Sequence, residues 1–214
     1  MVAKMISAFI PKRIKYNGSQ LCSLWAYKNF GILGDSIVAF IGPCNITKNM
    51  MVDVEDIRAK HKICGSLMLH FIIEHFDTDL EKTILRQRLL TTIVKDVLND
   101  YVSAKGGPAS GGQTFRRIGD DLYTITQDAR RKTQCAASRR DNAKLSISIA
   151  TASPVSTMIH FAINISTKGT PVKTAGLNDY KINPKDFALD VMKRYTEEMQ
   201  SVKHARQKVY PAHP

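Results

Sequence analysis

The chain has 214 residues, 43% hydrophobic and 23% charged, a composition that supports a globular core and argues against a disordered or fibrous polypeptide. Its formal net charge of +12, with a pI of about 9.6, favours anionic partners such as nucleotides, phosphates or nucleic acids. No apolar run reaches the roughly 20 residues that span a bilayer, and no signal peptide is recognised, so we expect a cytoplasmic protein. Four scattered cysteines argue against a zinc motif or a disulfide framework.

The first part of the chain predicts one short helix and two strands. A helix is expected from about Gln20 to Phe30. A strand over residues 37–41 ends in the turn signal that Gly42 forms with the following proline. The continuous apolar run LMLHFIIEHF, residues 67–76, predicts a central strand. The segment MVDVEDIRAK, residues 51–60, fits either a strand or a short helix.

The second part predicts a long helix, a group of strands and a last helix. The long helix is expected over Thr78–Tyr101, starting with a capping box between Thr78 and Glu81. The last helix starts at Asn183, and the basic chain beyond about Gln200 is expected to be a flexible tail. The strands between the two helices are predicted over residues 121–125, 144–151 and 158–166.

This order of elements predicts an α+β protein, because the strands are grouped and do not alternate regularly with helices. We expect one domain over residues 1–200, with a mixed, mainly antiparallel sheet, helices packed on one face, and a tail over 201–214. The stretch from about 124 to 143 carries five basic residues and is interpreted as an insertion between two neighbouring strands, so that Asp121 and Lys144 are expected to face each other across one site mouth. It is either a surface loop or a segment that binds phosphate or RNA.

Polar side chains alternate with apolar ones along three of the predicted strands. If the three polar faces converge, they line a pocket opposite the helical layer; otherwise they are ordinary solvent-facing positions. No nucleophile motif or metal-ligand spacing is recognised, although a hydrolase or transferase that uses His70, Glu74 or Cys44 stays open. The pairs that share a face are His70 and Glu74, Ser146 and Ser148, and His160 and Asn164.

Several of these positions resemble the catalytic core of the biotin and lipoate protein ligases. In that family a basic residue precedes Asn-Asp-Leu, a lysine opens a later strand, and a Gly-Ile-Asn strand follows. The matching segments here are Arg117, Asp120-Asp121-Leu122, Lys144-Leu145-Ser146 and Ala162-Ile163-Asn164. The resemblance implies a biotin/lipoate ligase-like fold, a ligand of the acyl-adenylate type, and ATP with Mg²⁺ as cofactors.

The same resemblance implies catalytic roles for Lys144, Asp121 and Arg117. Lys144 would hold a carboxylate or phosphate on which negative charge develops, and Asp121 would orient that ammonium or a Mg²⁺ ion. Where the ligases have a loop rich in glycine and arginine, this chain has a single arginine, Arg58. The candidate ligand-binding residues are Asp120, Ser146, Ser148, His160, Asn164, Arg58, His70, Glu74 and Gly42.

Nearly the whole chain, from about Ile14 to Met199, is also similar to an uncharacterised prokaryotic family of unknown function. The similarity lies in SLWAYKNFGILGDSIVAFIGPC, MVDVEDIR, LHFIIEHFD, LRQRLL and KLSISIATASPVSTMIHFAINIS. Two hypotheses of function follow. The first is a ligase-fold protein, with or without catalysis, that binds a nucleotide or a carboxylate-bearing small molecule. The second is a non-catalytic module, with a homodimer as one arrangement, that binds RNA or DNA through its basic surface.

Overall fold

The computed structural model describes residues 4–104, 115–124, 143–168 and 173–210. The strands are β1 Ile6–Ile10, β2 Ser36–Asn45, β3 Cys64–His75, β4 Phe115–Ile118, β5 Asp121–Thr124, β6 Ser146–Ala152 and β7 Thr157–Asn164. The helices are α1 Trp25–Phe30, α2 Val54–Ala59, α3 Leu80–Ala104 and α4 Pro184–Gln207, with 3-10 turns at Lys48–Met50 and Leu177–Tyr180.

A five-stranded sheet forms the centre of the fold, in the order β1-β2-β3-β7-β6. β1 runs parallel to β2, and the other neighbouring pairs are antiparallel. β3 lies in the middle and is buried along most of its length, as its apolar sequence predicts. β4 and β5 form a separate hairpin. The predicted central strand and the mixed, mainly antiparallel sheet are both confirmed.

The two long helices cover one face of the sheet. Leu90 and Val94 of α3 and Phe187 of α4 are fully buried against the apolar side chains of that face. The cap of α3 is Asp79, whose carboxylate accepts the N–H of Lys82 at 2.9 Å, so the capping box predicted one residue earlier is wrong. α4 continues seven residues beyond the end expected near residue 200. None of the helices in the described part of the chain is long and apolar enough to cross a bilayer.

The opposite face of the sheet is covered by the segment from residue 14 to residue 33, which includes the short helix α1. Trp25 and Ala26 pack there against Val38 and Phe40 of β2. The prediction that the helices lie on one face therefore holds for α3 and α4 and is wrong for α1. This helix is also shorter than expected: it begins only at Trp25, because Leu24 before it has a left-handed backbone (φ 62°).

β5 and the chain entering β6 are neighbours, as predicted. The N–H of Leu145 donates to the carbonyl of Leu122 at 2.8 Å, and the N–H of Thr124 donates to the carbonyl of Ala143 at 2.9 Å. The basic insertion therefore begins and ends at one place, while residues 125–142 lie outside the described residues, as do residues 105–114 of the glycine-rich stretch 103–114. The hypothesis of nucleic-acid binding through this insertion stays a prediction.

Candidate functional site

A cleft of about 760 Å³ lies over the face of β6 and β7 that is turned away from α3 and α4. Its volume is in the range of small-molecule sites. The floor includes His160 and Asn164 of β7 and Ile147 of β6. One wall is the chain from residue 46 to residue 64, which contains α2, and the other is the edge formed by Asp120, Asp121, Tyr123 and Lys144.

Lys144 and Asp121 meet at the rim of this cleft. The ammonium Nζ of Lys144 lies 2.6 Å from the carboxylate Oδ2 of Asp121, and the two side chains are 30% and 21% exposed. The β4–β5 turn brings Asp121 there, because Gly119 adopts the left-handed backbone (φ 65°) that a two-residue hairpin turn needs. The predicted proximity of Asp121 and Lys144 is observed, and their roles in a site stay predictions.

The backbone around Lys144 is fixed from three directions. Lys144 bridges Tyr123 on one side and Thr174 on the other. The side-chain amide of Asn164 donates to the carbonyl of Lys144 at 3.4 Å and to that of Ala175 at 3.3 Å. Asn164, predicted as a ligand-binding residue, therefore holds the strand end from which Lys144 projects.

Two buried histidines lie at the floor of the cleft: His160 lines it, and His70 lies beneath. Nδ1 of His70 is 3.1 Å from Nε2 of His160, and Nε2 of His70 is 3.2 Å from the carbonyl oxygen of Gly42. The Tyr16 ring stacks on His160 with 3.6 Å between centroids. Burial lowers the pKa of His70 to about 4, and burial followed by the proximity of His70 lowers the pKa of His160 well below its usual value. Both rings are therefore neutral at pH 7.

Gly42 and His70 contribute to the site indirectly. A Cβ atom on Gly42 would lie 1.8 Å from the carbonyl oxygen of Ile14, so only glycine allows the covering segment to approach β2 this closely. The Gly42 carbonyl is then the anchor for His70. Neither residue lines the cleft, although both were predicted as ligand-binding residues; His70 supports His160, which does line it.

The serines of β6 lie on the other face of the sheet. Ser146 and Ser148 are opposite Ile163 and Phe161 of β7, which face the helices. The hydroxyl of Ser146 accepts the N–H of Leu122, and that of Ser148 accepts the side-chain amide of Gln87 from α3. The three polar faces therefore do not converge, because these serines lie on the face of the sheet opposite to His160. They contribute to the edge of the cleft while their hydroxyl groups are occupied elsewhere.

Three further predicted residues lie outside the cleft. Arg117 is exposed on β4, where its guanidinium donates to the carbonyl of Gly119. Arg58 is exposed in the last turn of α2. Glu74 is buried at the far end of β3, where its carboxylate accepts the hydroxyl of Ser156 at 2.7 Å and the N–H of Leu24 at 2.8 Å. Glu74 thus stabilises the entry into α1.

Several cleft residues were not predicted. Tyr16 is one, because its sequence neighbourhood gives no sign that it stacks on a histidine 144 positions away. The acidic start of α2 is another: Asp53 caps this helix by accepting the N–H groups of Glu55 and Asp56. Asp53 followed three residues later by Asp56 is a helix-start signal. For residues 51–60, which fit either a strand or a short helix, this signal favours the helix.

Within the described ranges, no group of three or more His, Cys, Asp or Glu side chains is placed to hold a metal ion. Asp120 accepts the Gln87 amide at 3.0 Å, and Asp121 faces Lys144. Of the two roles that the resemblance implies for Asp121, the geometry supports orientation of the ammonium.

Comparison with known proteins gives a family and a fold. A family model described as "Domain of unknown function (DUF366)" matches residues 5–210. The uncharacterised protein MJ0805 of Methanocaldococcus jannaschii is 33% identical over 210 residues, which cover 95% of this chain and 83% of that protein. The structure of a protein of unknown function from Pyrococcus horikoshi is similar with a TM-score of 0.82 and 37% identity, over 98% of this chain and 100% of that chain.

Biotin protein ligases share the fold at low sequence identity. A variant of the Aquifex aeolicus enzyme in complex with biotin has a TM-score of 0.55 at 13% identity, covering 95% of this chain and 73% of that chain. The complex of that ligase with biotin and ATP has a TM-score of 0.52 at 12% identity, covering 94% and 72%. The predicted ligase-like fold and the predicted family of unknown function are therefore confirmed.

Proposed function

For this chain, which belongs to the DUF366 family of unknown function, we propose the binding of a carboxylate-bearing small molecule in the cleft at Lys144. The observation that carries the proposal is the position of the Lys144 ammonium at the cleft rim, where Asp121 holds it. An ammonium has three donors, so its bond to Asp121 leaves room for a second anionic acceptor. The similar ligase folds are in complex with biotin, or with biotin and ATP, which supports a ligand of this class.

The apolar part of the cleft lining favours a ligand with an apolar body. Ile147 and Ile149 of β6, Met68 of β3 and Ile63 line the cleft. Apolar walls with a few placed polar groups are typical of small-molecule sites. We therefore expect the carboxylate at the rim and the remainder of the molecule over the sheet.

The charges of the lining favour a single carboxylate over a free polyphosphate. The lining residues include five acids and two lysines, in contrast to the positive charge of the whole chain. A free triphosphate would be repelled by this excess of carboxylates, and a nucleotide would bind here only with its charge neutralised, as in a Mg²⁺ complex. The five acids are Asp53, Glu55, Asp56, Asp120 and Asp121, and the lysines are Lys62 and Lys144.

Thermal shift and calorimetric titration with biotin, lipoic acid and ATP–Mg²⁺ test the proposal. We expect a carboxylate to raise the melting temperature of the wild type and Lys144→Ala to weaken its binding by at least about tenfold, because a charge-assisted hydrogen bond contributes roughly 1.5–3 kcal/mol. Lys193→Ala, on the exposed side of α4, is the matched control and should bind like the wild type.

Two outcomes contradict the proposal. If none of the three compounds changes the melting temperature, the cleft is not a site for this class of ligand. If a compound binds equally well to the wild type and to Lys144→Ala, the binding site lies elsewhere on the molecule.

A further inference from the structure

His160 in the floor of the cleft and His70 beneath it form a hydrogen-bonded chain that ends on a backbone carbonyl. The chain runs from His160 Nε2 to His70 Nδ1, at 3.1 Å, and from His70 Nε2 to the carbonyl oxygen of Gly42, at 3.2 Å. His70 is wholly buried and His160 is 1% exposed. Because one end of the chain has a fixed role, the position of every proton along it can be assigned.

The assignment starts from Gly42. A carbonyl oxygen only accepts hydrogen bonds, so Nε2 of His70 carries a proton. Since a neutral imidazole has a single N–H, Nδ1 of His70 is an acceptor, and the proton between the two rings belongs to Nε2 of His160. Nδ1 of His160 is therefore unprotonated and carries a lone pair. Burial keeps both rings neutral, since it lowers the pKa of each.

His160 presents this nitrogen in a rigid setting. Its ring stacks on Tyr16 at 3.6 Å with 13° between the planes, and its Nε2 is held by His70. Nδ1 accepts no hydrogen bond from the described residues, and His160 is one of the residues that line the cleft. The floor of the cleft thus contains a preorganised hydrogen-bond acceptor, and Ile149, which pairs with His160 on β6 and also lines the cleft, has no side-chain donor to offer it.

We propose that His160 determines ligand specificity by accepting, through Nδ1, a hydrogen bond from an N–H or O–H group at the end of the ligand remote from its carboxylate. This inference rests on the function proposed above and extends it to the other end of the ligand. Asn164, whose amide holds the Lys144 carbonyl, is four residues from His160 on β7, a separation of roughly 13 Å at about 3.3 Å per residue. The ligand class is an elongated carboxylic acid with a polar, hydrogen-donating end group.

The protonation state of His160 is the first test, and it needs no ligand. Long-range ¹H–¹⁵N correlation spectra of the ¹⁵N-labelled protein at pH 7, assigned with His160→Asn and His70→Asn, report which nitrogen carries the proton. We expect Nε2–H and an unprotonated Nδ1 for both rings. A protonated Nδ1 on His160 would overturn the inference at once.

Biotin and lipoic acid are the probes for recognition. Both are carboxylic acids whose chain ends in a sulfur-containing ring, but only biotin has a fused cyclic urea with N–H donors, whereas the dithiolane ring of lipoic acid has none. Biotin is expected to shift the His160 Nδ1 resonance, and lipoic acid is expected to leave it in place. His160→Phe, which keeps an aromatic ring against Tyr16, should weaken biotin binding about five- to tenfold more than it weakens lipoic acid binding. His160→Asn, which retains an acceptor oxygen, should bind biotin better than His160→Phe does.

The outcomes separate this inference from the proposed function. Binding of both acids that depends on Lys144 but does not move the His160 signal would refute the role of His160 and leave the function of the cleft intact. If neither acid binds, the proposed function fails and the role of His160 fails with it. Equal losses of both acids in His160→Phe would indicate damage to the cleft and would also overturn the inference.

Discussion

Strand β3 carries two buried histidines on opposite faces, and their surroundings differ. His70 faces the cleft side and forms the His70 cluster with Gly42, His160 and Tyr16. His75 faces the helical layer. It forms the His75 cluster with Tyr195 of α4, at 2.9 Å from its hydroxyl, and with Asp35, at 3.7 Å. His70 is 0% and His75 is 2% exposed, so burial does not distinguish them.

The difference lies in what each cluster joins. Asp35 also accepts the ammonium of Lys203 at 2.9 Å and the N–H of Phe76 at 2.9 Å, so the His75 cluster ties α4 to the sheet. The interactions with His75, Phe76 and Lys203 hold the pKa of Asp35 well below its usual range. The His70 cluster instead ends on a residue of the cleft. Burial alone therefore does not connect a histidine of β3 with the cleft; the contacts around it do.

The largest effect on stability is expected from Gly42→Ala, which disturbs the backbone whose carbonyl binds His70. The new methyl group would collide with the backbone of Ile14, so the covering segment must move, at a cost of about 3 kcal/mol or more in the free energy of unfolding. Urea denaturation measures the loss. Gly119→Ala is the control: its Cβ meets nothing within 4 Å, and its left-handed backbone should cost about 1 kcal/mol. Equal losses in the two variants would contradict the close approach at Gly42.

Tyr195→Phe tests the His75 cluster and should have the next largest effect. Removal of the hydroxyl leaves Nε2 of the buried His75 without a partner, which we expect to cost about 2 kcal/mol. Tyr101→Phe is matched, because the Tyr101 hydroxyl donates to Asp190 at 2.7 Å, but that residue is only half-buried. Its loss should stay below about 1 kcal/mol by urea denaturation. Similar values for the two variants would show that the His75 cluster contributes no special stability.

The pH dependence of stability distinguishes the two clusters further. The unfolded chain protonates histidine near pH 6.5, whereas the folded protein protonates His70 only near pH 4, because burial lowers that pKa. The folded state therefore binds fewer protons, and the free energy of unfolding should fall as the pH drops from about 6.5 towards 4. The His70→Phe/His160→Phe double variant should show a shallower fall.

The dependence of the free energy of unfolding on pH that remains in this double variant reports on His75. His75 also has a pKa lowered by burial and stays in place, so some fall in stability should persist. Urea denaturation between pH 7.5 and 5 provides the comparison. Identical slopes for the wild type and the double variant would show that the His70 cluster takes up protons in the folded state as readily as in the unfolded chain.

The sequence predicts which segments form strands better than it predicts how the residues of neighbouring strands pair across the sheet. The apolar run around His70 indicates a central strand, and its period of two places His70 and Glu74 on one face, as observed. The faces of Ser146 and Ser148 depend on the register between β6 and β7. A shift of that register by one residue would move every side chain of the strand to the other face of the sheet, and no local sequence pattern fixes the register. The pair Asp121 and Lys144 was found through family resemblance.

Other parts of the site depend on segments that have no pattern of their own. The stacking of Tyr16 on His160 follows from the path of the chain between β1 and α1, an irregular stretch held to β2 by bonds such as Ile14 N–H to the Ile41 carbonyl. Glu74 shares a face with His70 but lies at the other end of β3, beside Ser156. Periodicity gives the face of a residue; which segment covers that face is a tertiary property.

The smallest effect on stability is expected at the cleft rim, from the double-mutant cycle of Lys144→Ala and Asp121→Asn. Both side chains are partly exposed, and ion pairs in such positions contribute roughly 0–1 kcal/mol, so we expect a coupling energy below about 1 kcal/mol by urea denaturation. The backbone of Lys144 is fixed independently by Asn164, which supports this expectation. A pair that positions an ammonium for a ligand has no need to stabilise the fold. A coupling energy of about 2 kcal/mol or more would instead show that the pair of Lys144 and Asp121 stabilises the fold, as the His75 cluster does.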